Sequence, residues 1–275
     1  MNNVFVLYRK TDKVQVLSYK EDFMFKKLAI AAALAASTSF AAWDLYPVLD
    51  QHKGEVGTAV GYTTDKYSSS LTGTIGARYS VIQNLELALV LPYRFFTHYD
   101  GHDMNADGLG ALTFMARYQI TPTINVFTDV GFPTADESYY AKDVWSVAAG
   151  AQYSNSINSF IRFGSGIGIS TNFIGSADIT SMFLNANTEF EFNVTPQFTP
   201  YVGANIDVFL GYFADDGYRY NSVGGGDIDT RIYVGAKYAF NDMFEVGAYA
   251  GIWFGNGSYK DNTEKDFGAY GSFKF

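Results

Sequence analysis

The stretch from Phe244 to Phe254 alternates strictly between two kinds of residue. Every even-numbered position is apolar, whereas the odd-numbered positions carry Glu245, Tyr249, Trp253 and two glycines. A repeat of two places successive side chains on opposite faces of an extended chain, so the pattern predicts a β-strand with one apolar and one mixed polar face. The fold must give these two faces different surroundings.

The same alternation recurs along nearly the whole chain after residue 53, in twelve segments. Short connections follow the even-numbered segments, and longer polar connections follow the odd-numbered ones. Short turns at one rim and long loops at the other are typical of bacterial outer-membrane barrels. The twelve predicted strands cover 54–63, 70–81, 85–97, 109–120, 124–133, 143–154, 159–171, 179–193, 199–213, 227–240, 244–255 and 266–275.

Two kinds of fold accommodate so many alternating strands. A soluble β-sandwich buries the apolar faces in one shared core, whereas a closed barrel turns them towards lipid. The predicted strands have ten or more residues each, which suits a membrane span better than the ~5–6 residues usual in globular sheets. We therefore predict an all-β fold, a twelve-stranded antiparallel up-and-down transmembrane β-barrel that spans about 42–275.

The N-terminal region carries a predicted export signal. Two lysines follow shortly after Met24, an apolar run covers 28–36, and small residues surround the predicted cleavage point after Ala41. This order is typical of a secretory signal peptide, which we assign to 24–41. Residues 1–23 do not fit the pattern and precede a usable start, so we interpret them as an extension from a wrongly assigned start codon.

Composition excludes several functional classes. The chain has no Cys, which excludes a disulfide framework, a Cys-ligated zinc site and a lipid-modified Cys anchor. Without its first 41 residues it keeps 13 basic and 25 acidic side chains, and this acidic balance disfavours nucleic-acid binding. After the signal, no apolar run approaches the ~20 residues that a transmembrane helix needs.

A short repeat marks predicted strand ends beside the short turns. Copies begin at Ala77, Ala116, Ala151 and Ala236, and each continues with a long polar residue and a tyrosine. The alternation turns the tyrosine outward, where aromatic residues form a girdle at the membrane interface. The last strand ends at Phe275 and resembles the C-terminal signal of outer-membrane barrels, so we expect outer-membrane lipid and the barrel-assembly machinery as partners.

The inward positions of the predicted strands collect charged side chains. A charge that faces lipid at the midplane costs ~2–4 kcal/mol, so inward placement is expected in any barrel. The inward set forms either a hydrated channel whose charges set selectivity, or an interior closed by ion pairs across the lumen. The predicted pore-lining residues are Glu55, Arg78, Glu86, Arg94, Arg117, Asp129, Arg162, Glu189, Glu191, Asp207, Asp229, Arg231, Lys237, Glu245 and Lys274.

Loop 98–108 contains one candidate metal site. Asp103, Asn105 and Asp107 stand at alternate positions before a glycine, as in the first half of a calcium-binding loop. The closing glutamate is missing, because Phe114 occupies its place. The sequence thus offers calcium as the one candidate cofactor, with a solvated acidic loop as the alternative.

An enzymatic barrel requires a histidine or paired carboxylates in a fixed arrangement. Here His52 precedes the first predicted strand, and His98 and His102 share one loop. Neither arrangement is typical of a hydrolase, so we do not predict an enzyme.

Three short stretches carry a family resemblance: LPY at 91–93, DGLGALT at 107–113 and PTAD at 133–136. They resemble the outer-membrane transporter family named for the phenol meta-degradation pathway. Ala111 and Ala135 replace the aspartate and glycine that are usual in that family. The resemblance implies a barrel of this size that passes small, often hydrophobic compounds.

Together these features predict an exported outer-membrane channel that passes small solutes passively through a charged, polar lumen. A structural or adhesive surface barrel with a filled interior is the second hypothesis, and an outer-membrane hydrolase is the third. The stretch between the predicted cleavage point and the first strand is too short for a plug domain.

Overall fold

The structure of the protein is a computed structural model. It describes residues 45–99, 102–104, 107–135, 143–174, 179–214, 219–220, 226–257, 259 and 262–275. Within these ranges, no helix is long and apolar enough to cross a membrane. The predicted extension 1–23 and signal 24–41 lie outside the described residues, so their bounds stay predictions.

Twelve long antiparallel strands form the described part of the chain, together with three short ones at His102–Met104, Gly108–Leu109 and Arg219–Tyr220. The long strands are β1 (Gly54–Thr64), β2 (Ser68–Ile82), β3 (Leu85–Tyr99), β4 (Thr113–Thr121), β5 (Ile124–Gly131), β6 (Val144–Ser156), β7 (Ile161–Ile174), β8 (Ile179–Phe192), β9 (Phe198–Ala214), β10 (Ile228–Ala239), β11 (Phe244–Gly255) and β12 (Glu264–Lys274).

Each long strand pairs with its neighbours in the chain, and β1 pairs with β12 to close the ring. At this seam Glu55 lies opposite Lys274. Beyond it, the Gly54 N–H donates to the Phe275 carbonyl oxygen (2.8 Å), and the Phe275 N–H donates back (2.9 Å). The predicted fold, a closed twelve-stranded antiparallel up-and-down β-barrel, is confirmed.

Side-chain oxygens close most of the short turns. Asn158 Oδ1 accepts hydrogen bonds from the backbone N–H groups of the second and third residues after it, and Asn241 Oδ1 does the same. The hydroxyls of Thr121 and Thr195 make the equivalent contacts. Asn, Asp and Thr fix tight turns in this way because the side chain replaces a backbone acceptor. These residues explain why the chain reverses where it does.

Two bulges shift the alternation inside long strands. In β3, Arg94 pairs with Thr72 but Phe96 pairs with Leu71, so Phe95 is an extra residue. After this bulge Thr97 is the buried residue, whereas the alternation of the sequence predicts Phe96 on the inner face. The bulge therefore reverses which residues of the strand face inward. In β9 the register shifts beside Gly211, whose φ of 132° suits glycine.

The strand β4 begins later than predicted. The sequence predicts a strand from residue 109, whereas the long strand starts at Thr113. Gly108–Leu109 forms a separate short strand that pairs with Tyr93 and Arg94 of β3. Gly108 has a φ of 131°, a conformation that side-chain-bearing residues rarely adopt, so the strand is interrupted here.

The two faces of the barrel wall differ as the alternation requires. Apolar side chains on the outer face are exposed, including Val60, Ile75 and Val234. The repeat tyrosines Tyr79, Tyr118, Tyr153 and Tyr238 are exposed on the same face beside the short turns. An exposed apolar band with aromatic residues at its edge matches the lipid-facing surface of a membrane barrel.

Four tyrosines on the inner face lie opposite glycines of the adjoining strand. Their rings cover the glycine backbone, since a Cβ added at each glycine would meet the ring of its partner. The cross-strand pairs are Tyr201 with Gly235, Tyr233 with Gly203, Tyr249 with Gly268 and Tyr270 with Gly247. Such aromatic cover over glycine helps to pin strand register.

We expect Gly235→Ala to impair folding, whereas Gly271→Ala should be tolerated. A Cβ at Gly235 would lie 2.6 Å from the Ala248 carbonyl oxygen and would overlap the Tyr201 ring. The nearest atoms to a Cβ at Gly271 are 3.8 Å away. Overpacking of this kind costs about 1–3 kcal/mol. Refolding yield and urea midpoint, read from heat-modifiable gel migration, measure the difference; equal midpoints for the two variants would contradict it.

Candidate functional site

By strand register, each of the fifteen predicted pore-lining residues lies beside inner-face residues of the neighbouring strands. Most are buried, and Arg231, Glu86 and Arg117 are almost completely so. Whether this set lines a conducting path stays a prediction.

Ion pairs connect the inward charges at the short-turn end. Arg78 Nη2 lies 2.6 Å from Glu55 Oε2, and its Nη1 lies 3.5 Å from Glu86 Oε2. Glu191 forms ion pairs with two cations: Arg162 Nε lies 3.0 Å from its Oε2, and Lys237 Nζ contacts its Oε1. At this end of the barrel, these inward charges thus neutralise one another in pairs.

Residues 45–49, which we call the inner segment, lie inside the barrel at the short-turn end. The Tyr46 hydroxyl donates to Glu189 Oε1 of β8 (3.0 Å). The backbone N–H of Val48 donates to Gln119 Oε1 of β4 (3.1 Å), and that of Leu49 donates to Glu86 Oε2 of β3 (3.0 Å). The inner segment therefore connects two separate parts of the wall across the lumen.

Tyr46 anchors the inner segment. The guanidinium of Arg162 lies 3.5 Å from the centroid of its ring, and Lys237 lies 5.7 Å from it. Burial and the nearby carboxylates of Glu189 and Glu191 hold the pKa of the Tyr46 phenol above its ordinary value. The hydroxyl therefore stays protonated and can keep donating to Glu189.

The inner segment departs from the sequence analysis, which treats these residues as a short connection and predicts no plug. The described residues contain no separate plug domain, yet the inner segment occupies part of the lumen with five residues. The signal in the sequence is the apolar run Leu45-Tyr46-Pro47-Val48-Leu49, which is too short for a span and belongs to no strand. Gly164 makes room for it, since a Cβ there would lie 2.8 Å from the Leu45 carbonyl oxygen.

A cavity of about 520 Å³ lies beside the inner segment. Tyr46, Pro47 and Leu49 form one side of it. The charged ion-pair residues of β1, β2, β7, β8 and β10–β12 and the four inward tyrosines form the rest. This volume is in the range of small-molecule sites in proteins.

The sequence analysis did not single out the tyrosines or Asp266 as site residues. The alternation assigns Tyr233 and Tyr249 to the inner face, but charge alone was used to select candidates. Asp266 begins the last predicted strand and also shares the inward parity. Selecting every inward side chain that is larger than serine would have found all of them.

Arg231 and Asp266 form a buried ion pair across β10 and β12. Both the Nε and the Nη2 of Arg231 donate to Asp266, with Nε to Oδ1 at 3.2 Å. The guanidinium also lies 4.7 Å from the Tyr233 ring centroid and 5.2 Å from that of Tyr249. Arg231, Tyr233 and Tyr249 of this cluster line the cavity.

A loop residue packs into the barrel at the long-loop end. Tyr259 stacks on the inward Trp253 with ring centroids 5.3 Å apart. Asp229 Oδ1 accepts hydrogen bonds from the backbone N–H groups of Gly257 (3.2 Å) and Tyr259 (3.4 Å). Burial raises the pKa of the Tyr259 phenol. The described part of the connection between β11 and β12 thus packs against inward side chains at this end of the barrel.

The predicted calcium ligands are only partly described. Asn105 lies outside the described residues, and of Asp103 only the backbone is described, in the short strand that pairs with β3. Asp107 is exposed. Among the described residues no three acidic, His or Cys side chains cluster as metal ligands do. Calcium binding in loop 98–108 stays a prediction.

His52 and His98 lie at opposite ends of the barrel, and of His102 only the backbone is described, beside Tyr99. His52 Nδ1 lies 3.5 Å from the Tyr79 hydroxyl at the short-turn end, whereas His98 stacks against Phe96 near the end of β3 (ring centroids 4.9 Å apart). They therefore do not form one site.

Solved structures with this architecture include a COG4313 outer membrane channel from Pseudomonas putida F1. It aligns with a TM-score of 0.67 at 14% identity, over 84% of this chain and 98% of that one. The translocator domain of the autotransporter NalP from Neisseria meningitidis aligns with a TM-score of 0.65 at 10% identity, over 94% and 99%. No protein-family model and no curated protein matches the sequence. These likenesses show that the chain has the fold of outer-membrane β-barrels, a fold that includes channels.

Proposed function

We propose that this protein is an outer-membrane channel that lets small solutes diffuse passively, with the inner segment as its constriction. The observation that carries the proposal is the cavity of about 520 Å³, which charged side chains and tyrosines line and which the inner segment bounds. A cavity beside a segment that belongs to no barrel strand offers a path for solutes once that segment moves. The fold alone does not decide the function, since a channel and a translocator share it.

The contacts of the inner segment support a movable constriction. Among the described contacts, hydrogen bonds from Tyr46, Val48 and Leu49 join it to the wall, beside the packing of Arg162 on the Tyr46 ring. None of these residues is part of a barrel strand. Displacing the segment would therefore leave the strand pairing of the barrel intact.

A structural barrel with a filled interior is the second candidate. It is favoured by the burial of Arg231, Glu189 and Arg117, each of which is at most 2% exposed. Such tight packing occupies part of the lumen and leaves no free path at those side chains. Conductance separates the two candidates, because a filled barrel folds without conducting.

The outer face of the barrel and its C-terminal strand suggest the proposed partners. Lipid covers the exposed apolar band, and the assembly machinery recognises the last strand, which ends at Phe275. Small solutes occupy the lumen, and calcium remains a proposal for loop 98–108. The family resemblance suggests small, often hydrophobic compounds among the solutes. We propose neither a catalytic role nor a nucleic-acid partner.

Single-channel recording of the refolded chain in a planar bilayer tests the proposal. We expect discrete conductance steps from the unchanged chain and larger steps after the inner segment is replaced. Arg162→Glu should shift the ion selectivity towards cations, because this side chain is among the most exposed inward charges. Silence from both the unchanged chain and the replacement, in preparations that show heat-modifiable folding, would overturn the channel and favour the filled barrel.

A further inference from the structure

The cavity at the short-turn end exposes cations more than anions, although residues of both signs line it. In the pair Arg162–Glu191, the arginine side chain is 35% exposed and the glutamate 2%. In the pair Lys274–Glu245, the lysine is 40% exposed and the glutamate 15%. Because the cavity lies between these groups, a solute in it meets the ammonium and guanidinium groups first.

Two further ion pairs of the cavity repeat this order, whereas in the buried pair Arg231–Asp266 the arginine side chain is 1% exposed and the aspartate 6%. The Arg78 side chain is more exposed than that of Glu55, and the Lys237 side chain is more exposed than that of Glu191. In the four pairs whose cation keeps accessible surface, the carboxylate thus lies behind the cation that balances it. Coulomb energy falls with distance, so charges at contact distance from a solute outweigh paired charges behind them.

The uncharged part of a solute in the cavity would contact tyrosine rings. Tyr201, Tyr249 and Tyr270 line the cavity wall, and their positions are fixed by the opposing glycines. Preformed aromatic walls favour planar or apolar groups, since stacking gains contact area without ordering flexible side chains. The inner segment adds the ring of Tyr46 and the apolar Pro47 and Leu49 on the opposite side.

We propose that the cavity is a binding site for small organic carboxylates with a planar ring. The proposal rests on the proposed channel function and names the class of solute that the channel would select. The carboxylate pairs with Arg162 and Lys274, whose side chains keep accessible surface, and the ring packs against the tyrosines. Charge-assisted hydrogen bonds to a carboxylate are stronger than neutral ones, so these two cations supply much of the selectivity.

Other solute classes fit the lining less well. A neutral hydrocarbon leaves the accessible cations without a new partner, and an organic cation is repelled by them. An inorganic anion such as chloride satisfies the charges but is too small to contact the rings. Benzoate, benzamide and benzamidine separate these cases, because they share size and shape and differ in charge.

Isothermal titration calorimetry of the refolded chain in non-ionic detergent, at low ionic strength, tests the order of affinities. We expect benzoate to bind about tenfold more tightly than benzamide, the equivalent of one charge-assisted hydrogen bond. Benzamidine should bind more weakly than either. Equal affinities for benzoate and benzamide, or tighter binding of benzamidine, would overturn the proposal. So would chloride competing with benzoate at equal concentration, since it would show that the rings contribute nothing.

Two substitutions locate the site. Arg162→Gln and Lys274→Gln should each weaken benzoate binding about tenfold and leave benzamide binding unchanged. Lys265→Gln is the matched control, since Lys265 belongs to the same strand as Lys274 but is exposed on the outer face. An unchanged affinity for benzoate in both cavity variants would place the site elsewhere and overturn the assignment.

Conductance distinguishes failure of this inference from failure of the channel itself. Benzoate that binds to a barrel without conductance would refute the channel and support the binding site. Conductance without preferential benzoate binding would support the channel and refute the binding site.

Discussion

Replacing residues 45–49 with five alternating glycines and serines is expected to raise the single-channel conductance several-fold. The change removes the Tyr46 ring from beneath Arg162 and the hydrogen bond from Tyr46 to Glu189, and it keeps the length of the connection to β1. The cavity then extends into the space that the segment occupied. Because strands β1–β12 lose no pairing, we expect the variant to fold with the same heat-modifiable migration.

Tyr46→Phe is the matched control for this replacement. It keeps the ring that contacts Arg162 and removes only the hydroxyl that donates to Glu189. We expect more frequent openings with step sizes close to those of the unchanged chain. If the Gly-Ser replacement conducts no more than the unchanged chain, the inner segment is not the constriction, and the buried cluster around Arg231 becomes the place to search for it.

The second large effect is expected from Arg231→Met, which should lower the free energy of unfolding by about 3–5 kcal/mol. The substitution leaves Asp266 buried without the two guanidinium donors that now contact it. It also removes a cation from between the rings of Tyr233 and Tyr249. Urea unfolding in detergent, followed by tryptophan fluorescence, measures the loss.

The double variant Arg231→Met with Asp266→Leu tests the cause. An apolar pair of similar size leaves no uncompensated charge, and such replacements are often nearly neutral. We therefore expect the double variant to recover most of the stability. A double variant as unstable as Arg231→Met alone would show that the guanidinium acts through its aromatic contacts instead of through the ion pair.

The barrel itself follows from sequence because its signals are local and repeated. Alternation fixes which residues share a face, and Asn158, Thr195 and Asn241 fix where the chain turns. A closed antiparallel barrel then leaves little choice of topology, since each strand pairs with the next. The bulge at Phe95 could not be predicted in this way. A single extra residue depends on how β2 and β3 fit together, and the alternation of the sequence does not change at that position.

The candidate site is predictable only in part. The inward charges follow from alternation, but which of them keep accessible surface depends on the ion pairs that form around the ring. Glu191, for example, is covered because Arg162 and Lys237 reach it from different strands. The inner segment is harder still, since its position depends on contacts with Glu86, Gln119 and Glu189, which are distant in sequence.

The tyrosine–glycine pairs give the barrel an uneven stiffness. They join β9 to β10 and β11 to β12, and the Tyr201 hydroxyl donates to the Ala248 carbonyl oxygen (3.5 Å), which links the two hairpins. Strands β6 and β7 carry glycines at 150, 164, 166 and 168, of which Gly150 and Gly168 share the single ring of Phe127. We therefore expect a deformation of the cross-section to be taken up mainly at the glycines of β6 and β7, while the third of the wall formed by β9–β12 keeps its shape and holds the orientation of a solute that contacts its rings.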